Sequence, residues 1–517
     1  MSDTQKVLRN SRTMAIMTAI SRVFGLAREM LIALLLGTTR FADIWNMAFM
    51  VPNLFRRFLA EGAMSSALVP TFSEIHAQGD KNQEQAFTRA FFTLILVSSA
   101  VITILMIVMM PVALPALVEL MTPGKANLAI KDAVLPTQVM FPYLVFVSVA
   151  AVCQGILNVY DRFGLPAATP VFLNICVIAL GYGLRHQFGN PVWGLCIGVL
   201  VGGFLQFALQ WAYLARMQIW LWPSMKVWTR KTAEAVGLWL PMTLAAGVYQ
   251  INVLVSQSIA FGLFDGAMAA LNYANRLIEL VLGVFATAVS TSILPMLSVQ
   301  KLLPDRSAMR HNLWRGLEAL SLITLPASAG LVLCGYSLIS WLFQRGRFDS
   351  HSLNLVYGAL LVHAMSLLPV SWYRVISQTF FAFKHVRTSL VLTILAATLN
   401  IVFCLLFPGL FDRSYAHIGI ALATVCYSWI LVIIAIRLVA KRYALAPDRT
   451  FLWELMKITL ATIAFVPVWL PLELQKLGLV ELGLRLAGSI AVFVGVGYVL
   501  RIKSLHALWR QLRRRVG

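Results

Sequence analysis

Charged residues are scarce in this 517-residue chain, and acidic residues are the scarcer kind. Charged side chains make up 12% of the sequence and hydrophobic ones 59%, with 21 Asp and Glu against 42 Lys and Arg. A soluble globular domain carries about 25% charged residues. The composition therefore excludes a soluble protein and indicates a polytopic membrane protein, in line with a mean hydropathy of +0.79.

Clusters of disulfide-forming or metal-ligating residues are also lacking. The six cysteines form no CxxC motif and all fall in long apolar runs: Cys153, Cys176, Cys196, Cys334, Cys404 and Cys426. Of the eight histidines, His363 lies deep in such a run, and it has no HExxH partner. We therefore predict neither a disulfide framework nor a metal site.

Long apolar runs dominate the chain instead. We predict about 14 of them that are able to cross roughly 30 Å of hydrocarbon, near residues 13–36, 43–69, 87–113, 134–158, 166–184, 192–215, 233–262, 267–294, 313–343, 352–381, 388–407, 416–440, 452–471 and 483–500. Lys and Arg concentrate in the connectors of one side and in the C-terminal tail. Because basic connectors stay inside, both termini are expected in the cytoplasm.

An internal repeat is visible at a shift of about 225 residues. The segment SSALVPTFS (65–73) aligns with STSILPMLS (290–298), and Gly37 falls on Gly262. A constant shift over six runs predicts two six-helix lobes in pseudo-two-fold repeat, followed by two extra helices. The predicted lobes are residues 1–222 and 223–445, with the last two helices and a basic cytoplasmic tail in 446–517.

The first two runs combine apolar character with charge. They carry Arg22, Arg28, Glu29, Arg56, Arg57 and Glu61. An arginine at mid-membrane costs roughly 2.5–3.5 kcal/mol, so we expect these arginines to face a water-filled cavity. Asn53, Arg57 and Glu61 form one polar stripe at i, i+4 and i+8. Arg57 and Glu61 have the alternative of neutralising each other along the helix, whereas the other arginines have too few nearby acids for that.

The second lobe adds charges of the same kind. Arg276 and Glu279 lie at i and i+3 in the eighth run, and Arg374 lies in the tenth. The predicted cavity is then more positive than negative, and arginine suits bidentate phosphate binding. An exporter of cationic drugs would need surplus acid in its cavity, and a membrane enzyme would need clustered Asp or His on its loops. A scaffold would leave the buried arginines unexplained.

Four segments carry a family resemblance: SRVFGLARE (21–29), VPNLFRRFLAEGAMSSALVP (51–70), NVYDRFGLPAATP (158–170) and NRLIEL (275–280). In them the chain resembles the MurJ/MviN family of lipid II flippases, in the multidrug/oligosaccharidyl-lipid/polysaccharide exporter superfamily. The resemblance implies 14 helices in two lobes and a cationic inward-facing cavity. It also implies a transporter rather than an enzyme, which exports undecaprenyl-pyrophosphate-linked disaccharide-pentapeptide across the bacterial inner membrane for cell-wall synthesis. The alternative is a related exporter of another polyprenyl-linked oligosaccharide or of small drugs.

Matched residue by residue, the resemblance implies a substrate site at Arg22, Arg28, Arg56 and Arg276, to which we add Asn53. The candidate gating or charge-pair residues are Asp43, Glu29, Arg57, Glu61, Glu279 and Arg374. The segment SQTFFAFKHVRTS (377–389) departs from the family pattern, and Arg374 stands where lysine is more familiar. We expect no cofactor, with the membrane potential or a coupling ion as driving force. The expected partners are lipid II and membrane lipids, with no nucleic acid, and the expected functional state is a monomer.

Overall fold

The structure is a computed structural model that describes residues 3–59, 63–123, 128–303, 305–470 and 477–506. These residues form eighteen α-helices and no strand, which confirms the all-α prediction. The helices are α1 Asp3–Leu36, α2 Arg40–Leu59, α3 Ala63–Gln78, α4 Lys81–Met121, α5 Leu128–Met140, α6 Pro142–Val159, α7 Gly164–Gly183, α8 Val192–Arg216, α9 Arg230–Phe261, α10 Ala267–Val281, α11 Thr287–Gln300, α12 Ser307–Phe343, α13 Ser350–His363, α14 Leu367–Ala382, α15 Val386–Leu406, α16 His417–Tyr443, α17 Arg449–Ala464 and α18 Leu479–Val499. Glu61 and residues 507–517 of the predicted basic tail lie outside the described residues.

Ten helical stretches in the described part of the chain are long and apolar enough to cross a membrane. They coincide with the predicted runs three to six and nine to fourteen. A helix satisfies its own backbone hydrogen bonds, which is what a segment in water-free hydrocarbon requires. The chain is therefore a multi-pass membrane protein, while the count of 14 spans stays a prediction.

The described residues of the other four predicted runs are helical as well. α1 and α2 carry the arginines described above, and α9 carries Gln250, Asn252 and Gln257. The eighth run is divided into α10 and α11 by a π-helical segment, Leu282–Ala286. π-Helical turns inside a helix are frequent at functional sites.

Helix boundaries recur at the shift found in the sequence. α1 ends at Leu36 and α9 at Phe261, which are 225 residues apart. α8 begins at Val192 and α16 at His417, again 225 apart. A break at Phe141 separates α5 from α6, and a 3₁₀ turn ending at Ser366 separates α13 from α14. The repeat therefore extends to the lengths and interruptions of the helices.

The chain divides into two compact units. The first comprises Met1–Ala269 together with Arg345–Phe348, and the second comprises Ala270–Gln344 and Asp349–Gly517. In the first unit, Phe72, Phe87 and Phe91 belong to a buried core built on α3, α4 and α6. In the second, Ile458 and Ala461 of α17 pack with residues of α12 and α18. The predicted lobe boundaries at 222 and 445 remain predictions.

Candidate functional site

Arg28 of α1 is paired with the acid that follows it. Its Nη2 lies 2.7 Å from Oε1 of Glu29, and both side chains are only 14% exposed. Its guanidinium also lies 5.7 Å from the centre of the Phe49 ring. The interpretation that Arg28 has too few nearby acids was therefore wrong, because Glu29 neutralises it in this conformation. Arg22, on the same helix, is exposed.

One hydrogen-bonding group of Arg28 is not used by the Glu29 pair. Nε of Arg28 is buried and has no hydrogen-bond partner among the described residues. A buried donor without a partner costs about 1–3 kcal/mol and is uncommon in folded proteins. An acceptor supplied by a ligand would remove that cost.

The polar side chains of α2 are joined along the helix. Nε of Arg56 donates to Oδ1 of Asn53 at 2.6 Å, and both residues are half-buried. Arg57 is half-buried as well. The predicted stripe of Asn53, Arg57 and Glu61 cannot be followed to its end, since Glu61 lies outside the described residues.

Asp43, at the start of α2, is a buried cap for another helix. Its carboxylate accepts the backbone N–H of Gly266 at 2.6 Å and that of Ala269 at 2.8 Å, at the N-terminus of α10. The side chain is 2% exposed. Backbone N–H groups and the positive end of a helix dipole both favour a carboxylate there. Asp43 thus fixes where α10 begins, a role that spacing along the sequence does not reveal.

A short segment between α12 and α13 packs against the turn from α1 to α2. The backbone N–H of Arg347 donates to the carbonyl of Leu34 at 2.9 Å. Gly346 has a φ of +60°, and a Cβ on it would lie 2.4 Å from the same carbonyl. The approach is reciprocal, because a Cβ on Gly37 would lie 2.3 Å from the carbonyl of Arg347. Sequence reasoning missed this contact, although the two glycines were a visible signal.

The candidates of the second unit form another pair. On α10, Nη1 of Arg276 lies 3.1 Å from Oε2 of Glu279, and both side chains are about half exposed. Nδ2 of Asn275 donates to the other oxygen of Glu279 at 3.3 Å. Arg374 is half-buried on α14, and its backbone carbonyl accepts a hydrogen bond from Ser290 of α11.

The structure therefore brings the candidates together as local pairs on three helices. These pairs are Arg28 with Glu29, Asn53 with Arg56, and Arg276 with Glu279. A cavity formed jointly by both lobes stays a prediction. Within the described ranges, no group of three His, Cys, Asp or Glu residues is arranged to hold a metal ion.

Solved structures define the class of the fold. A structure described as lipid II flippase MurJ in an inward closed conformation superposes with a TM-score of 0.77 at 24% identity, covering 94% of this chain and 98% of its own. An inward-facing multidrug resistance MATE family transporter of the MOP superfamily superposes at 0.63 and 16% identity, covering 82% and 95%. Such identities establish the fold alone. The chain therefore has the multi-pass helical fold that these two solved structures share.

Sequence comparison narrows the class to one family. The family model described as "Lipid II flippase MurJ" matches residues 32–487. The lipid II flippase MurJ of Burkholderia cenocepacia is 33% identical over 72% of each chain. A probable lipid II flippase MurJ of Rhizobium tropici is 34% identical over 79% of this chain and 76% of its own. The chain belongs to the lipid II flippase MurJ family.

Proposed function

We propose that this protein is a lipid II flippase, which moves the undecaprenyl-pyrophosphate-linked peptidoglycan precursor from the inner to the outer leaflet of the cytoplasmic membrane. The family match over residues 32–487, which extends across both compact units, is the observation that carries the proposal. Arginines on otherwise apolar helices are its chemical support, since charges at membrane depth mark substrate pathways. The product serves cell-wall synthesis and, through it, cell shape.

The pyrophosphate is held by Arg22, Arg28, Arg56 and Arg276, with Asn53 orienting Arg56. Guanidinium groups bind phosphate oxygens in a bidentate manner. The buried Nε of Arg28 supplies a donor that needs an acceptor. Alternating access, with one lobe rocking against the other, then exposes the bound head group on the opposite side.

Carboxylates beside these arginines act as exchangeable partners. In the absence of cargo, Glu29 and Glu279 neutralise Arg28 and Arg276. The pyrophosphate displaces them when it binds, so no bare arginine has to cross the apolar layer. Arg57 with Glu61 and Arg374 are proposed to act as further charge pairs or gates. Asp43 acts as a gate by holding or releasing the N-terminus of α10.

The driving force is the membrane potential or a coupling ion, and no cofactor takes part. Moving one negative charge outward gains about 2.3 kcal/mol per 100 mV of inside-negative potential. The protein acts as a monomer with both termini in the cytoplasm, in accord with the basic connectors of that side. Because the cargo itself is bound rather than altered, the protein is a transporter and not an enzyme.

Export of another polyprenyl-linked oligosaccharide or of drugs is the competing function. MATE transporters share the fold at identities of 14–17%. Similarity at this level does not identify the cargo. A cationic drug would be repelled by a surplus of arginine, whereas a pyrophosphate is attracted. The charge of the candidate residues therefore favours the anionic lipid.

Complementation tests the proposal in cells whose own flippase is depleted. We expect the combined variant with Arg22, Arg28 and Arg56 all changed to Ala to abolish growth at a normal protein level. Arg413→Ala, at an exposed arginine in the connector before α16, is the matched control and should support growth. Normal growth of the triple variant would show that these arginines do not form an essential anion site, and it would contradict the proposed function.

A further inference from the structure

The second unit contains an apolar cavity that the proposed transport path does not use. It has a volume of about 560 Å³ and lies among α12, α14, α16 and α17. Three tryptophans and a phenylalanine dominate its wall, namely Trp314, Trp372, Trp429 and Phe451. A volume of this size falls in the range of about 300–1,000 Å³ typical of ligand pockets.

The polar atoms of two wall tryptophans are already engaged by the protein. Nε1 of Trp314 donates to the carbonyl of Leu445 at 3.1 Å, and Nε1 of Trp372 donates to Oγ of Ser321 at 3.0 Å. The Phe451 ring lies 4.7 Å from that of Trp314 and 5.7 Å from that of Trp372. The wall therefore offers hydrocarbon and ring faces, which suit an apolar chain rather than a polar solute.

The depth of the cavity matches one leaflet. Its wall extends along α12 from Trp314 to Leu325, which are 11 residues apart and hence about 16 Å at 1.5 Å per residue. Half of the hydrocarbon layer is about 15 Å thick. The shallow end of the cavity adjoins the connector between α16 and α17, where Pro447 lines it. Leu452, also in the wall, is 56% exposed, which leaves an opening at the side of α17.

Positive charge surrounds the shallow end. Arg310 lies one turn before Trp314 and interacts electrostatically with Asp448, the residue after Pro447. Asp448 is engaged as the cap of α17, accepting the N–H of Phe451 at 2.9 Å. Arg449 follows it, and both arginines are exposed. Residues 305–315 and 447–449 together hold four Arg and two Asp, whereas the buried Glu318 and Glu454 lie one turn deeper on α12 and α17. The positive charge is therefore confined to the exposed edge of the rim, which is where an anionic head group lies.

We propose that this cavity binds one acyl chain of an anionic phospholipid, drawn from the leaflet that borders the connector between α16 and α17. The chain lies against the tryptophans, and the phosphate lies at Arg310 and Arg449. Bound there, the lipid fills the space between α17 and the helices of the repeat. None of the residues of this site is among those proposed to hold the flipped cargo.

Native mass spectrometry of the full-length protein, with phosphatidylglycerol or phosphatidylcholine added as probe, tests the proposal. The wild-type protein should retain one phosphatidylglycerol per chain. Thr459→Phe fills the cavity from α17 and should weaken retention about tenfold, equivalent to 1.4 kcal/mol. Leu460→Phe, at the neighbouring position that is 47% exposed and not in the wall, is the matched control and should retain the lipid.

The head-group part of the proposal has its own variant. Arg310→Gln should remove the preference for phosphatidylglycerol over phosphatidylcholine without emptying the cavity. Equal retention by the wild-type and Thr459→Phe proteins would overturn the proposal, and so would a wild-type protein that retains no phospholipid or only a polyprenyl lipid. Since retention is measured without transport, these results do not depend on the identity of the cargo.

Discussion

At the scale of single residues, one arginine of α1 and one of α10 form ion pairs with neighbouring carboxylates. Arg28 with Glu29 and Arg276 with Glu279 are each within 3.1 Å. A paired arginine avoids much of the cost of roughly 2.5–3.5 kcal/mol that an isolated one has at mid-membrane. The same pairing makes the carboxylate a competitor of any anion that binds the arginine.

Removing that competitor should strengthen anion binding. Glu29→Gln keeps the shape of the side chain but leaves Arg28 without its charged partner. A hydrogen bond to a charged group contributes about 1.5–3 kcal/mol, so lipid II should bind about tenfold or more tightly and turn over more slowly. Binding of labelled lipid II to the purified protein measures this. Glu481→Gln, which removes the similar 2.8 Å pair with Arg485 on α18, should leave the affinity unchanged. Weaker binding by Glu29→Gln would contradict the exchange mechanism.

A second prediction at this scale concerns two glycines with similar backbones. Gly346 and Gly189 have φ of +60° and +74°, a conformation that costs an L-residue roughly 1–2 kcal/mol. A Cβ on Gly346 would meet the Leu34 carbonyl at 2.4 Å, whereas nothing lies within 4 Å of one on Gly189. Gly346→Ala should therefore lower the unfolding temperature clearly more than Gly189→Ala. Equal decreases in unfolding temperature for the two variants would show that Gly346 does not stay close to the Leu34 carbonyl of α1.

At the scale of helices, the long apolar runs and their repeat were predictable from sequence. Each membrane-spanning segment has to be apolar and has to form its own backbone hydrogen bonds, whatever its neighbours are. The recurrence of helix ends at 225 residues follows from the same local signals. The Asp43 cap on α10 and the packing of Gly346 on α1 were not predicted, because the sequence does not identify partners more than 200 positions away. The Arg28 pair was misjudged since a neighbour at i+1 does not share the helix face in an idealised projection.

Helix capping gives a pH-dependent prediction at this scale. Asp349 accepts the backbone N–H of Ser352 at 2.8 Å at the start of α13, and this hydrogen bond lowers the pKa of its carboxyl. The ionised cap therefore contributes its full stabilisation of α13 above the ordinary carboxyl pKa of about 3.9. That stabilisation is lost as the pH falls through the lower pKa that Asp349 has in the folded protein. Hydrogen-exchange protection of the first turn of α13 should fall as the pH drops below the ordinary carboxyl pKa. Asp349→Asn keeps a hydrogen-bond acceptor and should remove the pH dependence. If the Asp349→Asn variant kept the pH dependence, a group other than Asp349 would be the one that titrates.

At the scale of the whole molecule, the repeat places an arginine-bearing helix early in each half of the sequence. α1 and α2 contribute Arg22, Arg28 and Arg56, and α10 contributes Arg276. The proposed function assigns these residues to one anionic cargo. The account therefore requires that arginines from both parts of the chain act on the same pyrophosphate.

Translocation of labelled lipid II by the full-length protein in sealed vesicles tests that requirement most directly. Single changes of Arg28 and Arg276 to Ala should each slow translocation at least tenfold, the loss expected when one charged hydrogen bond of about 1.5–3 kcal/mol is removed. Arg413→Ala should translocate at the wild-type rate. Wild-type rates for both Arg28→Ala and Arg276→Ala, at equal protein content, would contradict the account.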